Sequence, residues 1–261
     1  GFLLFTLIPI VCSMGLSFME WDSANPMKFV GLANFAKLLE DETFSISLKN
    51  TIYYSVFTVP LTMAAALGLA LILNQKLKGI NMFRTVFFFP HVASLVAVAV
   101  VWNLLFHPTL GPINNILRAM GVANPPGWTS TIDWAMPVII IVSIWKSMGY
   151  YMILYLSGLQ AIPRELYEAA KVDGANTFQR FRNITLPMLT IACFKVFDLI
   201  SVMTNGGPGR ATNVLVYHIY NTAFINYEFG YASAISMVLF AIVLVITVVQ
   251  FRAEKKWVSY M

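Results

Sequence analysis

Long stretches with almost no charge constrain this chain more than any other feature. The run from Thr51 to Leu73 holds no Asp, Glu, Lys or Arg. Similar stretches recur along the sequence, separated by polar, turn-rich segments. A bilayer core of about 30 Å needs about 20 apolar residues per spanning helix. The chain is 58% hydrophobic and only 11% charged, whereas a soluble domain is about 25% charged. These residues belong in a membrane. Runs of β-branched residues such as Val138–Val142 do not argue for strands, because lipid admits only helices and closed barrels. The expected fold is an all-α membrane protein of one domain, residues 1–261, with six transmembrane helices.

The six expected spans are Phe2–Phe18, Leu48–Leu73, Phe83–Phe106, Ile132–Leu159, Leu186–Met203 and Phe229–Phe251. Gly1-Phe2-Leu3-Leu4 already reads as helix interior, with no charged n-region and no cleavage site. A truncated first span is expected there rather than a signal peptide. The fifth span is short and contains Lys195 and Asp198. Either it is a short interfacial helix or residues are missing near Thr190–Ile191, the expectation preferred here. Cys12 and Cys193 lie in apolar segments with no metal-ligand spacing, which argues against a disulfide framework and a zinc site.

Basic residues set the orientation. Lys76, Lys78, Arg84, Arg164, Lys171, Arg180, Arg182, Arg252, Lys255 and Lys256 fall on one side if all six helices span. Lys28, Lys37, Lys49, Arg118 and Arg210 fall on the other, with the acidic cluster Glu40-Asp41-Glu42. The richer side is expected in the cytoplasm. The net charge of +5 therefore reflects topology and not nucleic-acid binding. The opposite loops carry Trp21, Pro26, Gly31, Pro108, Gly111, Pro112, Pro125, Pro126, Gly127 and Trp128, the composition of ordered interfacial turns.

One cytoplasmic loop has internal chemistry. Ile162-Pro163 ends a helix, because proline biases its predecessor away from the helical region. Arg164–Lys171 then reads as a short helix. Ala169 and Ala170 are small enough for a partner to approach closely, and Glu168 offers it a carboxylate. Gly174 permits a sharp turn. Phe178 and Phe181 supply an apolar face, and Leu186-Pro187 opens the next span. The bland alternative is a solvated amphipathic loop.

Glu168-Ala169-Ala170, Gly174 and Ile184-x-Leu186-Pro187 resemble, in type and spacing, the EAA signature of ABC-importer permeases. Phe29-Val30-Gly31-Leu32-x-Asn34-Phe35, Phe89-Pro90, Gly158-Leu159-Gln160-x-Ile162-Pro163 and Thr204-Asn205-Gly206-Gly207-Pro208 extend that resemblance over most of the chain. It resembles the carbohydrate-uptake permeases typified by the maltose and glycerol-3-phosphate systems.

The resemblance implies a type I importer bundle and a coupling segment at 160–187, in which Glu168, Ala169, Ala170, Asp173, Gly174, Ala175 and Phe178 meet an ATPase. It implies four kinds of partner: a second homologous permease, two ATPase subunits, an extracytoplasmic sugar-binding protein and membrane lipid. The location implied is the bacterial cytoplasmic (inner) membrane. ATP and Mg would be bound by the ATPase subunits, since this sequence has no Gly-x-x-x-x-Gly-Lys-Ser/Thr loop. A large extra outer domain, found in the maltose permease, has no room here.

Polar residues inside spans are costly and so are functional candidates. Trp145, Lys146, Tyr150, Tyr151 and Tyr155 cluster in the fourth span. Aromatic faces stack on sugar rings, and Tyr or Lys groups bond sugar hydroxyls. The resemblance places Trp145, Lys146, Tyr150 and His91 at substrate-binding positions. Lys146 departs from the apolar residue found there in the maltose permease, which suggests an altered preference, toward an acidic sugar.

Bland alternatives stand beside each. Trp145 and Tyr155 suit packing. Lys146 suits an ion pair with Asp198 or Asp133, and His91, after Pro90, suits the cap of a kinked helix. Two other functions are weaker. An intramembrane enzyme needs convergent catalytic groups, and His91, His107 and His218 are scattered. An exporter usually resembles a different fold.

Overall fold

A computed structural model describes residues 3–75, 79–161 and 210–257. A π-helical turn, Leu3–Leu7, leads into α1, Ile8–Leu16. A two-stranded antiparallel hairpin follows, pairing β1 (Met19–Glu20) with β2 (Lys28–Phe29). The described helices then run α2 (Ala33–Glu40), α3 (Glu42–Leu73), α4 (Ile80–Val92), α5 (Leu95–Leu105), α6 (Pro112–Ala119) and α7 (Ile132–Ala161). Beyond residue 209 come α8 (Leu215–Tyr220), a π-helical turn at Asn221–Ile225, and α9 (Phe229–Trp257).

Two described helices, within Glu42–Leu73 and Ile132–Ser157, are long and apolar enough to cross a membrane. The broken pair α4–α5 makes a third if it counts as one span. Leu3–Leu16 and Phe229–Val245 are shorter apolar helices. The fifth expected span, and the missing residues expected beside it, lie outside the described residues.

The long helices α3 and α7 form the centre. Tyr54, early in α3, packs with Met136–Val142, early in α7. Ala66, Ala70 and Leu73, late in α3, pack with Met152, Leu156 and Leu159, late in α7. The pair therefore runs parallel. The chain between them must return, and α4–α5 does so. Phe87 meets Gly149, Trp102 meets Trp145, and Phe106 meets Trp128, so α4–α5 runs antiparallel to α7. A third cluster joins Leu38 of α2, Leu215 of α8, and Tyr231, Ala234 and Ile235 of α9.

Three expectations are corrected. The span expected as a continuous Phe83–Phe106 is two helices bent by 98°. Pro90 has no N–H to continue the helical ladder, and Ala93 and Ser94 turn extended, with ψ of 143° and 130°. The span expected from Leu48 starts at Glu42. Asp41 is its N-cap and accepts the Thr43 N–H at 2.8 Å, so the acidic cluster joins two helices and is not a loop. The expected loop between the first two spans also contains the hairpin and α2. Asn34 Nδ2 donates to the Ser17 and Met19 carbonyls at 3.0 and 2.9 Å, which ties α2 to the end of α1.

Candidate solute site where α7 meets α3 and α4

Three faces of α7 do three different things. Positions three or four apart in a helix share a face, so Lys146 and Tyr150 point together toward α4. Ser147 and Tyr151 turn toward α3. Trp145 turns toward α5.

On the α4 side, the Tyr150 ring stacks on His91, with centroids 4.6 Å apart and planes within 18°. Both residues are exposed within this chain. Tyr151 closes edge-on to Tyr150 at 5.3 Å. Lys146 Nζ donates to the carbonyls of Pro90, His91 and Ala93 at 3.2, 3.2 and 3.0 Å. The cap of the broken helix is therefore Lys146, and the His91 backbone is what it caps. The helices touch closely just below. A Cβ on Gly149 would sit 1.8 Å from the Phe87 carbonyl oxygen, so only glycine fits there.

Of the four residues expected at a solute site, the structure brings His91, Lys146 and Tyr150 together. Trp145 stands apart, half-buried and edge-on to Trp102 at 5.3 Å, in the apolar cluster with Val98 and Ile139. The expected coupling residues Glu168 through Phe178 lie outside the described residues.

On the α3 side is a cavity of about 580 Å³, bounded by α3, α7, α8 and α9. Its wall is largely aliphatic, with Val56, Val59, Leu239 and Ile242. Tyr54, Thr58 and Thr62 also line it, at a four-residue spacing that puts them in one row along α3. They are 6%, 7% and 2% exposed. Their hydroxyl oxygens have no hydrogen-bond partner among the described residues. Ser143 and Thr58 influence the Tyr54 hydroxyl without meeting hydrogen-bond geometry. Sequence reasoning missed this row. The signal was present, as hydroxyl residues four apart at 54, 58 and 62 of α3.

A polar knot closes the end of the bundle that carries Asp41. Asp41 accepts from the Tyr231 hydroxyl at 2.6 Å and lies 3.2 Å from His218 Nε2. Lys37 pairs with Glu228 at 2.6 Å and sits over the Tyr231 ring at 4.1 Å. Arg210 pairs with Glu42 at 3.3 Å. Partial burial pushes the Asp41 carboxyl up, but the hydrogen bonds it accepts outweigh that and hold it below its ordinary value. Burial holds His218 below its ordinary value despite the attraction of Asp41. Among the described residues no group of three His, Cys, Asp or Glu could hold a metal ion.

The chain has well-matched relatives. It is 36% identical to the sn-glycerol-3-phosphate transport system permease protein UgpA of Agrobacterium fabrum, over 89% of this chain and 83% of that one. It is 37% identical to the trehalose/maltose transport system permease protein MalF of Thermococcus litoralis, over 97% and 89%. Its fold is similar to a chain of a bacterial ABC transporter involved in importing the acidic polysaccharide alginate. The TM-score is 0.80 at 25% identity, over 99% of this chain and 92% of that one. A second structure of an alginate transporter, in complex with an alginate pentasaccharide-bound periplasmic protein, matches with a TM-score of 0.77 at 25% identity, over 95% and 87%. Residues 58–258 match the binding-protein-dependent transport system inner membrane component family, and the chain belongs to that family.

Proposed function

We propose that this chain is the permease subunit of an ATP-driven importer that takes a sugar or sugar derivative from a binding protein outside the membrane. The observation that carries the reading is the family match across residues 58–258, together with relatives named for glycerol-3-phosphate and for trehalose and maltose. The likeness to an alginate transporter with its periplasmic protein supports a binding-protein partner.

The finer assembly follows from the same reading. Six helices span the inner membrane in a type I bundle. Loop 160–187 lies in the cytoplasm, with Glu168, Ala169, Ala170, Asp173, Gly174, Ala175 and Phe178 against an ATPase subunit. A second permease completes the pathway, and ATP with Mg is held by the two ATPase subunits. Transport proceeds by rocking of the bundle when the ATPases close.

The solute meets two chemically matched surfaces. The stacked Tyr150 and His91 rings offer an aromatic face of the kind that packs on sugar rings. The row Tyr54, Thr58 and Thr62 offers hydroxyls that can both donate and accept.

The test begins with the tagged chain, extracted gently with its neighbours and identified by mass spectrometry with any retained small molecule. Uptake of that molecule is then measured in cells carrying Glu168→Lys or Gly174→Pro. Recovery of an ATPase, with normal expression and lost uptake in both variants, supports the reading. Normal uptake in both overturns it.

A further inference from the structure

The break between α4 and α5 places backbone carbonyls where no helix can satisfy them. The last four carbonyls of any helix lack intrahelical partners. Inside hydrocarbon each such group costs several kcal/mol in general. Three acceptors at this break, on Pro90, His91 and Ala93, all receive hydrogen bonds from one ammonium. A lysine carries three N–H donors, and the negative end of the α4 dipole faces a cation. Lys146 comes from a different helix, so the bond set also fixes α7 to the break. Gly149, one turn on, lets the α4 backbone approach α7 closely enough for Lys146 to reach. Tyr150 then stacks on the His91 ring.

We propose that Lys146 is a positioning residue. It stabilises the 98° break in the α4–α5 span and thereby sets His91 against Tyr150. Without its charge, the three carbonyls regain partners most readily by continuing the helix through residues 93–94, which straightens the span and carries His91 away from Tyr150. The importance of that pair for transport rests on the permease reading above. The geometry of the break does not.

Nitroxide labels at Met82 and Leu104, both exposed, report the break by pulsed electron resonance. At a rise of 1.5 Å per residue, the bent span separates the two backbones by about 20 Å and a straight one by about 33 Å. The labels are placed in the full transporter in nanodiscs, with no solute added. Lys146→Met is expected to create a population near the longer distance. Lys146→Arg, which keeps a charged donor, is expected to retain the shorter one. Should Lys146→Met not assemble, Lys146→Gln, neutral but still able to donate, is expected to show both distances.

A single short distance in every neutral variant that assembles, superimposable on the parent, overturns the proposal. So does loss of the short distance in Lys146→Arg to the same extent as in Lys146→Met. Because no solute is used, that outcome leaves the importer reading untouched, and failure of the importer reading leaves the distance result standing.

Discussion

Replacing Asp41 with alanine removes three interactions from one carboxylate. The first is the N-cap of α3, where the side chain accepts the Thr43 N–H. Loss of such a cap costs about 1 kcal/mol. The second is the hydrogen bond from Tyr231, at 2.6 Å. A hydrogen bond to a charged group contributes about 1.5–3 kcal/mol, and Tyr231 is only 5% exposed, so its hydroxyl loses a partner where water reaches poorly. The third is the 3.2 Å contact with His218 Nε2, a hydrogen bond to the carboxylate when that nitrogen carries the proton. These terms share one residue and do not add fully, so the expected loss is about 2–4 kcal/mol.

At about 2–4 °C per kcal/mol for a chain of this size, the purified transporter should melt about 5–15 °C lower. Fluorescence-detected size exclusion after graded heating measures this. Asp41→Asn keeps a capping oxygen and should lose about half as much. In a Tyr231→Phe background the alanine effect should shrink, because one of its interactions is already gone. A melting point within about 1 °C of the parent would refute the assignment of Asp41 as the joint of this knot. An alanine effect of the same size in the Tyr231→Phe background would refute the share given to Tyr231.

Gly149→Ala places a methyl where the Phe87 carbonyl stands; overpacking of this kind costs about 1–3 kcal/mol or more, read as a lower melting point and reduced yield. Stability should also depend on pH through His218. Its folded value lies below the ordinary 6.5 because of burial, opposed by Asp41 and Glu228 and assisted by Arg210. The unfolded imidazole therefore binds protons first, so stability is full above pH 6.5 and declines as pH falls below it. His218→Gln should flatten that decline in a melting-point series, and an unchanged slope would exclude His218 as its source. Thr58→Val removes a buried hydroxyl that lacks a described partner. It should raise the melting point, by about 2–4 °C for each kcal/mol of the penalty removed, while lowering uptake of the delivered solute. Full uptake in Thr58→Val would remove Thr58 from the solute path.

The starts of α7 and α9 at Ile132 and Phe229 were legible, because apolar character begins sharply there. The start of α3 was not. The sequence puts its first turns, Glu42–Lys49, among polar residues, and hydropathy stops at the membrane edge while the helix continues beyond it. Capping chemistry was the better guide, since Asp41 directly precedes the helix it caps.

The break in the α4–α5 span was half legible. Pro90 marks a defect in the ladder, yet the extended residues are Ala93 and Ser94, three and four positions later. What holds the break is Lys146, 53 residues or more away along the chain, and no local pattern reports such a partner. The same reason explains the division of the expected site. Helical spacing puts Lys146 and Tyr150 on one face, but Trp145 was expected at the same site. Spacing does not say which neighbour each face meets.

A polar side chain in a membrane helix has two common reasons to be there, and hydrogen bonding separates them. Some satisfy backbone that cannot satisfy itself. Lys146 does so at the broken span. Asn50 Nδ2 does so by donating to the Arg210 and Asn213 carbonyls, both at 2.9 Å. Thr51 does so by accepting the Leu215 N–H at 2.9 Å. These groups are structural, and exchanging them should move stability first.

Tyr54, Thr58 and Thr62 differ, since their hydroxyls form no hydrogen bond of good geometry among the described residues. A buried hydroxyl with no partner costs about 1–3 kcal/mol, a penalty that packing alone does not require, because valine fills the same space as threonine. Three such groups in one row, beside a cavity of about 580 Å³, make sense if their partner is a hydroxyl-rich molecule that arrives and leaves. On that criterion Lys146 groups with the side chains that satisfy backbone, and Thr58 and Thr62 are the residues of α3 whose exchange tests the proposed solute path.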